Sequence, residues 1–159
     1  MSYTKDTMAN KLLAKNKAVL AEYAILEKYE AGIKLTGPEV KSVKSGQMNL
    51  KGSYASLNPN TGALSLISAH ISAYKPAAGA QTDYDPTQSR TLLLNKKEIS
   101  SLIGKLKEKR LTLLPISAYS KSGIIKIELG LGRGKRQFEK RDQIKKRDIE
   151  RDIGRKLKS

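Results

Sequence analysis

The sequence predicts an all-β fold, a closed or nearly closed antiparallel barrel with two or three small helices set into it. Three observations carry this. Runs with period-two alternation recur along the chain, the clearest being Ile125, Ile127, Leu129 and Leu131 against Lys126, Glu128 and Gly130. Two pairs of such runs flank the turn-rich stretches "NPNTG" and "SKSG", as the arms of hairpins do. Helical periodicity is confined to short segments. The chain has 159 residues, enough for one domain with a real core.

The elements follow in order. Residues 1–15 are polar and basic with no clear buried face, and read as a flexible lead. "EYAILEKY", from Glu22 to Tyr29, is rich in residues that favour sheets. "EAG" predicts a turn pivoting on Gly32, and "IKLTG" a second short strand. "PEVKSVKSG" predicts a short helix, with Pro38 at its first position, Glu39 at the positive end of its dipole and Gly46 at its exit. Val40 and Val43 form the inner side of that helix, so Lys41 and Lys44 face out. "SYASLNPNTGALSLISAHIS" predicts a hairpin. Residues 74–91 are rich in Pro, Gly, Ala and Thr and predict an exposed loop. In "LLLNKKEISSLIGKLKEKR" the apolar positions Leu94, Ile99, Leu102, Ile103 and Leu106 share a helical face, with Asn95 as N-cap. "LTLLPISAYSKSGIIKIELGLG" predicts the final hairpin. About six strands result.

The glycines of "GLGRGKR" end that last strand rather than cradle a phosphate. A P-loop needs Gly-x-x-x-x-Gly-Lys-Ser/Thr, yet Lys135 is followed by Arg136. The dinucleotide fingerprint needs a glycine where Lys135 stands. The chemistry inventory is otherwise thin. There is no cysteine, which excludes disulfides, thiolate metal sites and thiol nucleophiles, and His70 is the only histidine. Neither catalytic residues, metal ligands nor a cofactor are expected, and the chain reads as a non-enzyme.

Charge points to a partner. Lys plus Arg number 31 against 15 Asp plus Glu, a net charge of +16. A one-signed excess of this size repels itself in the folded state and fits a polyanion, nucleic acid first and acidic membrane second. No long apolar run or apolar leader is present, so a cytoplasmic protein is expected, with no membrane partner.

The segment 135–159 differs from the barrel at 16–134. It alternates charge densely, and only Ile149, Ile153 and Leu157 keep a spacing of four. Asp142 with Lys146 and Asp152 with Lys156 are helix pairs worth about 0.2–0.5 kcal/mol each. That offsets little ordering entropy, so the tail is expected to be disordered alone and helical against a partner.

Several blocks resemble one family. "NKAVLAEYAILEKYEAGIKLTGPEVKSVKSGQMNLKGSYA", "HISAY", "DPTQSRTLLLNKKEI" and "ELGLGRGKRQFEKRD" are similar, in the same order, to blocks of the SsrA-binding proteins, also called small protein B. The resemblance covers roughly residues 15–142. It implies an oligonucleotide-binding-type Greek-key barrel with flanking helices. It implies binding to the tRNA-like domain of transfer-messenger RNA (tmRNA) and a part in trans-translation, the rescue of ribosomes stalled on truncated messages. The tail would probe the empty messenger channel of the ribosome. Elongation factor Tu would be met indirectly, through the aminoacylated RNA, and the chain would act as a monomer.

The resemblance also implies site residues. Asn16 and Lys17 match a short Asn-Lys motif, and Asn suits an unpaired base while Lys suits phosphate. Glu30 matches a glutamate at the family's RNA surface, where a carboxylate can accept from base amino groups. Leu93 matches an exposed position that packs on loop bases. Lys41, Lys44, Arg90, Lys96 and Lys97 are expected phosphate contacts, and Tyr54 and Tyr74 possible stacking surfaces. Lys135 and Arg136 match the barrel–tail junction. Lys140, Arg141, Lys145, Lys146, Arg147 and Ile153 are the expected ribosome-contacting residues of the tail. The chain departs from the family at Val19-Leu20-Ala21, at Gln88 and at Glu139.

Two other readings share parts of this pattern. A general RNA-binding barrel, such as a ribosomal protein or RNA chaperone, has the same charge. A magnesium-dependent nuclease could use Asp83 and Asp85, although two acids beside Pro86 more often form a turn.

Overall fold

The computed structural model describes residues 11–75, 83–108 and 110–135. Nine strands and three helices are formed among them: β1 (Lys11–Lys15), α1 (Lys17–Glu22), β2 (Tyr23–Ile33), α2 (Gly37–Lys44), β3 (Met48–Asn49), β4 (Tyr54–Leu57), β5 (Leu64–Ile67), β6 (His70–Ile71), β7 (Arg90–Leu93), α3 (Lys96–Lys105), β8 (Leu111–Lys121) and β9 (Ile124–Gly134).

Seven strands make one antiparallel sheet in the order β1-β8-β9-β2-β7-β5-β4, and β3 with β6 make a small second sheet. The β8–β9 hairpin inserts between β1 and β2, the non-sequential order that Greek-key connectivity produces. The large sheet curls until β4 packs against β8, so the fold class is the barrel with small helices that the sequence predicts. Its interior is built from one face of each strand. Ile125, Ile127, Leu129 and Leu131 are all buried, as their alternation requires, and meet Leu64, Leu66, Leu92, Leu113 and Ala118. Each such Leu or Ile contributes about 1.5–3 kcal/mol by leaving water. The β8–β9 turn is tight, with Ser122 at φ 52° and Gly123 at φ 80° between the closing pair Lys121 and Ile124. Positive φ at both central residues matches the twist of the arms.

The helices are capped from the sequence. The Thr36 side chain accepts from Glu39 N, and the Glu39 side chain accepts from Thr36 N, a full capping box at the start of α2. Asn95 accepts from Glu98 N at 2.8 Å and starts α3, whose Leu102 is fully buried.

Three expectations are corrected, and one element is new. Lys11–Lys15 is not part of a loose lead: it pairs with β8 through Lys11–Ser120 and Lys15–Ser117. Residues 1–10 lie outside the described residues. The chain does not turn at "EAG". A single eleven-residue strand runs from Tyr23 to Ile33, because both its edges are occupied, β9 along most of it and β7 at Gly32 and Ile33. Of the glycines of "GLGRGKR" only Gly134 ends β9, while Gly130 and Gly132 lie within it. The strand continues to Gly134, and Gly130 instead makes room for neighbours: a Cβ there would stand 2.6 Å from Ile116 Cδ1 and 3.2 Å from Ile25 Cδ1. Finally, α1 was not foreseen, since six residues carry too little periodicity to show a helix.

Candidate RNA interface

Strand pairing aligns the side chains on the outer face of the sheet into rows. Leu12 pairs with Tyr119, Tyr119 with Lys126, Lys126 with Gly32 and Gly32 with Leu93. One continuous row therefore crosses β1, β8, β9, β2 and β7. In the adjacent row Lys15 pairs with Ser117, Ser117 with Glu128 and Glu128 with Glu30. Glu30 and Leu93, far apart in sequence, thus stand on one exposed face, with Leu93 49% exposed.

Two carboxylates directly opposed in a ladder repel each other. Here each has a cation. Lys28 lies 3.7 Å from Glu128, and Lys121 Nζ lies 3.4 Å from Glu30 Oε1. The Tyr119 hydroxyl donates to Glu30 Oε2. This donation is the main influence holding the Glu30 carboxyl below its ordinary pKa, with Lys121 and Lys126 adding to it against a desolvation cost. Partial burial, then the Glu30 charge, raises the Tyr119 hydroxyl, so at neutral pH the pair is carboxylate and hydroxyl donor. The face is an electropositive surface with a fixed acceptor in it.

A second acid is tied in the same manner at the rim. Glu27 accepts from Lys105, near the end of α3, and from the Tyr29 hydroxyl, and Lys105 sits 6.0 Å from the Tyr29 ring centroid. Elsewhere, Lys41 and Lys44 are exposed on α2 as expected, and Lys41 Nζ lies 5.6 Å over the Tyr74 ring. An open cleft of about 340 Å³ runs between this helix and residues 72–75, lined by Ser42, Ser45, Gln47 and Tyr74. Lys17, Lys96 and Lys97 are exposed, the last two opening α3 just beyond β7. Tyr54 is 46% exposed on β4. Lys135 closes the described chain, its backbone N–H donating to Glu22 O at 2.9 Å. Arg136 and the tail residues Lys140, Arg141, Lys145, Lys146, Arg147 and Ile153 lie outside the described residues.

Two expected contacts are corrected by burial. Arg90 is no surface phosphate contact: it is 3% exposed and inside the molecule. Its Nε and Nη2 donate to Glu39 Oε2 at 2.9 and 2.7 Å, its Nη1 to Ala69 O, and its Nη2 also to Tyr84 Oη and Pro86 O. Glu39, expected at the positive end of the helix dipole, stands there and is also the buried counter-ion. Burial opposes its charge, but the Thr36 N–H and Arg90 outweigh that and hold it below the ordinary carboxyl pKa. Burial and Glu39 push the Tyr84 hydroxyl up to about 12. Gln88 donates to the same Oε2 at 3.3 Å and so makes an internal contact. The end of the 74–91 loop is thereby anchored.

Asn16 is likewise internal, at 2% exposure. It caps α1 by accepting from Val19 N, and its Nδ2 donates to Leu50 O and Pro115 O, both at 3.2 Å. Val19 is the buried residue of α1. Asp85 turns the chain, its Oδ1 accepting from Thr87 N and Thr87 Oγ1, both at 3.0 Å.

Sequence reasoning missed Tyr119, Lys121, Lys126 and Lys28. Alternation marks each as outward-facing, Tyr119, Lys121 and Lys126 in the final hairpin and Lys28 in β2. That the first three converge on Glu30, and Lys28 on the opposed Glu128, depends on the register of three strands.

Known proteins resemble this chain through most of its length. The family described as SmpB protein matches residues 13–159. The SsrA-binding protein of Sulfurihydrogenibium sp. is 48% identical over 151 residues, covering 95% of this chain and 97% of that protein. The SsrA-binding protein of Ruminiclostridium cellulolyticum is 48% identical over 150 residues, covering 94% and 95%. A solved structure described as "tmRNA-SmpB: a journey to the center of the bacterial ribosome" is similar with a TM-score of 0.59 and 40% identity, covering 80% of this chain and 84% of that one. A match of this length and identity, on a strand-rich antiparallel fold, establishes that the chain belongs to the SmpB family of SsrA-binding proteins.

Proposed function

We propose that the protein binds the tRNA-like domain of tmRNA and brings it to stalled ribosomes in trans-translation. The observation that carries this reading is family membership through nearly the whole chain, residues 13–159. The outer sheet face supports it. An exposed Glu30 carboxylate among lysines disfavours bare phosphate and favours amino groups on bases, while Leu93 offers an apolar surface for a base plane. Lys17, Lys41, Lys44, Lys96 and Lys97 add phosphate attraction without sequence reading. The barrel, to Gly134, carries RNA binding. The tail, from Lys135, contacts the ribosome and probes the empty messenger channel as a helix.

The protein performs no catalysis in this scheme and needs no cofactor. It works as a cytoplasmic monomer, with elongation factor Tu met through the charged RNA. Among the described residues no helix is long and apolar enough to cross a membrane. The test is a titration of the full chain against the tRNA-like domain and a generic duplex, beside peptide tagging in a reconstituted stalled-ribosome assay. The reading expects preference for the tRNA-like RNA and restored tagging. Equal binding to both RNAs with no tagging would overturn it in favour of a general RNA-binding barrel.

A further inference from the structure

We infer that the outer-face gap at Gly32 seats one unpaired RNA base, and that Tyr119 is the positioning residue that aims Glu30 at the amino edge of that base. The inference deepens the proposed function and rests on it.

Gly32 lies inside β2, where glycine weakens a strand unless something requires it. Its φ is not among the positive values, and the register shift in β2 falls at Ile25–Glu27, away from it. Packing does not exclude a side chain either: the nearest atoms to a Cβ there belong to Leu93, at 3.5–3.9 Å, which is ordinary contact. Neither turn, bulge nor crowding explains the glycine. A strand glycine that none of these explains marks either a bend where a barrel strand changes partners, as β2 does here between β9 and β7, or close approach by another molecule, and the side chains around Gly32 fit the second.

The surroundings specify that molecule. Gly32 is flanked in its row by Leu93 on β7 and Lys126 on β9. The absent side chain leaves a shallow floor with an apolar wall at one end and a cation at the other. Glu30 stands in the next row, an acceptor that repels phosphate and accepts from exocyclic amino or ring N–H groups. A flat ring that packs on Leu93 and turns a donor edge to a carboxylate is an unpaired base, its phosphate lying toward Lys126.

Tyr119 fixes the reader. Its hydroxyl donates to Glu30 Oε2, while Lys121 at 3.4 Å from Oε1 holds the other oxygen loosely. The groups facing Glu30 are Tyr119 and Lys121 from β8 and Lys126 and Glu128 from β9, with Lys28 on Glu128. Of these Tyr119 does most to keep Glu30 ionised.

The experiment titrates the full chain with the tRNA-like-domain transcript and with a generic duplex, from neutral to acid pH. Tyr119→Phe is expected to weaken the tRNA-like RNA about tenfold and leave the duplex nearly unchanged. It should also raise the pH at which the preference disappears, because the main influence lowering the Glu30 pKa is gone. A merely structural tyrosine would move neither the ratio nor that pH. Gly32→Val should erase the preference while the melting temperature holds. If that variant does not fold, Gly32→Ala, whose Cβ makes only ordinary contact, decides the seat by its own loss of preference. A wild-type chain with no preference sinks the functional reading and this inference with it. A wild-type chain that prefers the tRNA-like RNA, with Tyr119→Phe or the folded Gly32 variant unchanged, overturns the inference alone.

Discussion

Arg90→Ala separates a scaffold arginine from a phosphate contact. The side chain makes five internal hydrogen bonds, two to one oxygen of Glu39, and both partners of the ion pair are 2% exposed. Removing the cation leaves Glu39 charged and buried, and takes a donor from the carbonyls of Ala69 and Pro86, the second of which keeps the Ile71 N–H. Breaking a buried pair from one side costs about 3–5 kcal/mol. For a chain of this size that is a fall in melting temperature of about 6–20 °C.

The acid limb gives the same quantity a sign. Glu39 is held below the ordinary 4.5, so its contribution to stability is fully present above the unfolded-state pKa and is lost as pH falls through the folded value. In Arg90→Ala that contribution shrinks, so the stability lost between neutral pH and the acid range should shrink too. Urea unfolding at several pH values measures both effects. RNA binding, measured below the melting transition, should keep its log-log salt slope, whereas loss of a phosphate contact would lower it by about one unit. A variant with normal stability and a reduced salt slope would refute the burial argument outright.

Other outcomes follow from the same structure. Asn16→Ala removes the α1 cap and one donor each from the carbonyls of Pro115 and Leu50, the latter still bonded by Ser53, and should cost about 1–2 kcal/mol in urea unfolding with the salt slope of RNA binding unchanged. Gly130→Ala drives a Cβ into Ile116 Cδ1 and should cost about 1–3 kcal/mol by thermal melting; Ile116→Val, which deletes that carbon, should recover part of it in the double variant. Deleting the residues after Phe138 should leave the melting curve and most RNA binding in place but end peptide tagging in the stalled-ribosome assay. A truncation that unfolds the barrel would show the tail to be structural.

Local chemistry made much of the fold legible. The strict alternation of Ile125 to Leu131 fixed a strand and its buried face. "NPNTG", "SKSG", Pro38 with Glu39, and Asn95 fixed turns and helix starts, because those signals act within a few residues. The errors were non-local. Gly32 reads as a turn until β7 and β9 are seen to occupy both edges of the strand. "LGLG" reads as a strand end until Ile116 and Ile25 are found packed over Gly130. Of the candidate site, Glu30, Leu93 and the α2 lysines were identified at surface positions, the first two through a family resemblance. Tyr119 and Lys121 escaped, since nothing within "SAYSKSG" indicates which residue lies across two strand pairings.

Asn16, Arg90 and Glu30 look alike in a sequence: each is a polar residue within a block shared with a family that binds RNA. What separates them is whether their hydrogen-bonding capacity is already spent. Both donors of Asn16 and all three guanidinium nitrogens of Arg90 are committed inside the molecule. An RNA would have to break those bonds and expose buried carbonyls before gaining anything from either residue. Glu30 is exposed, with one oxygen steadied by Tyr119 and the other only loosely held by Lys121. It has been oriented without being satisfied, and that is the condition under which a carboxylate on a basic protein can select a base rather than repel a backbone.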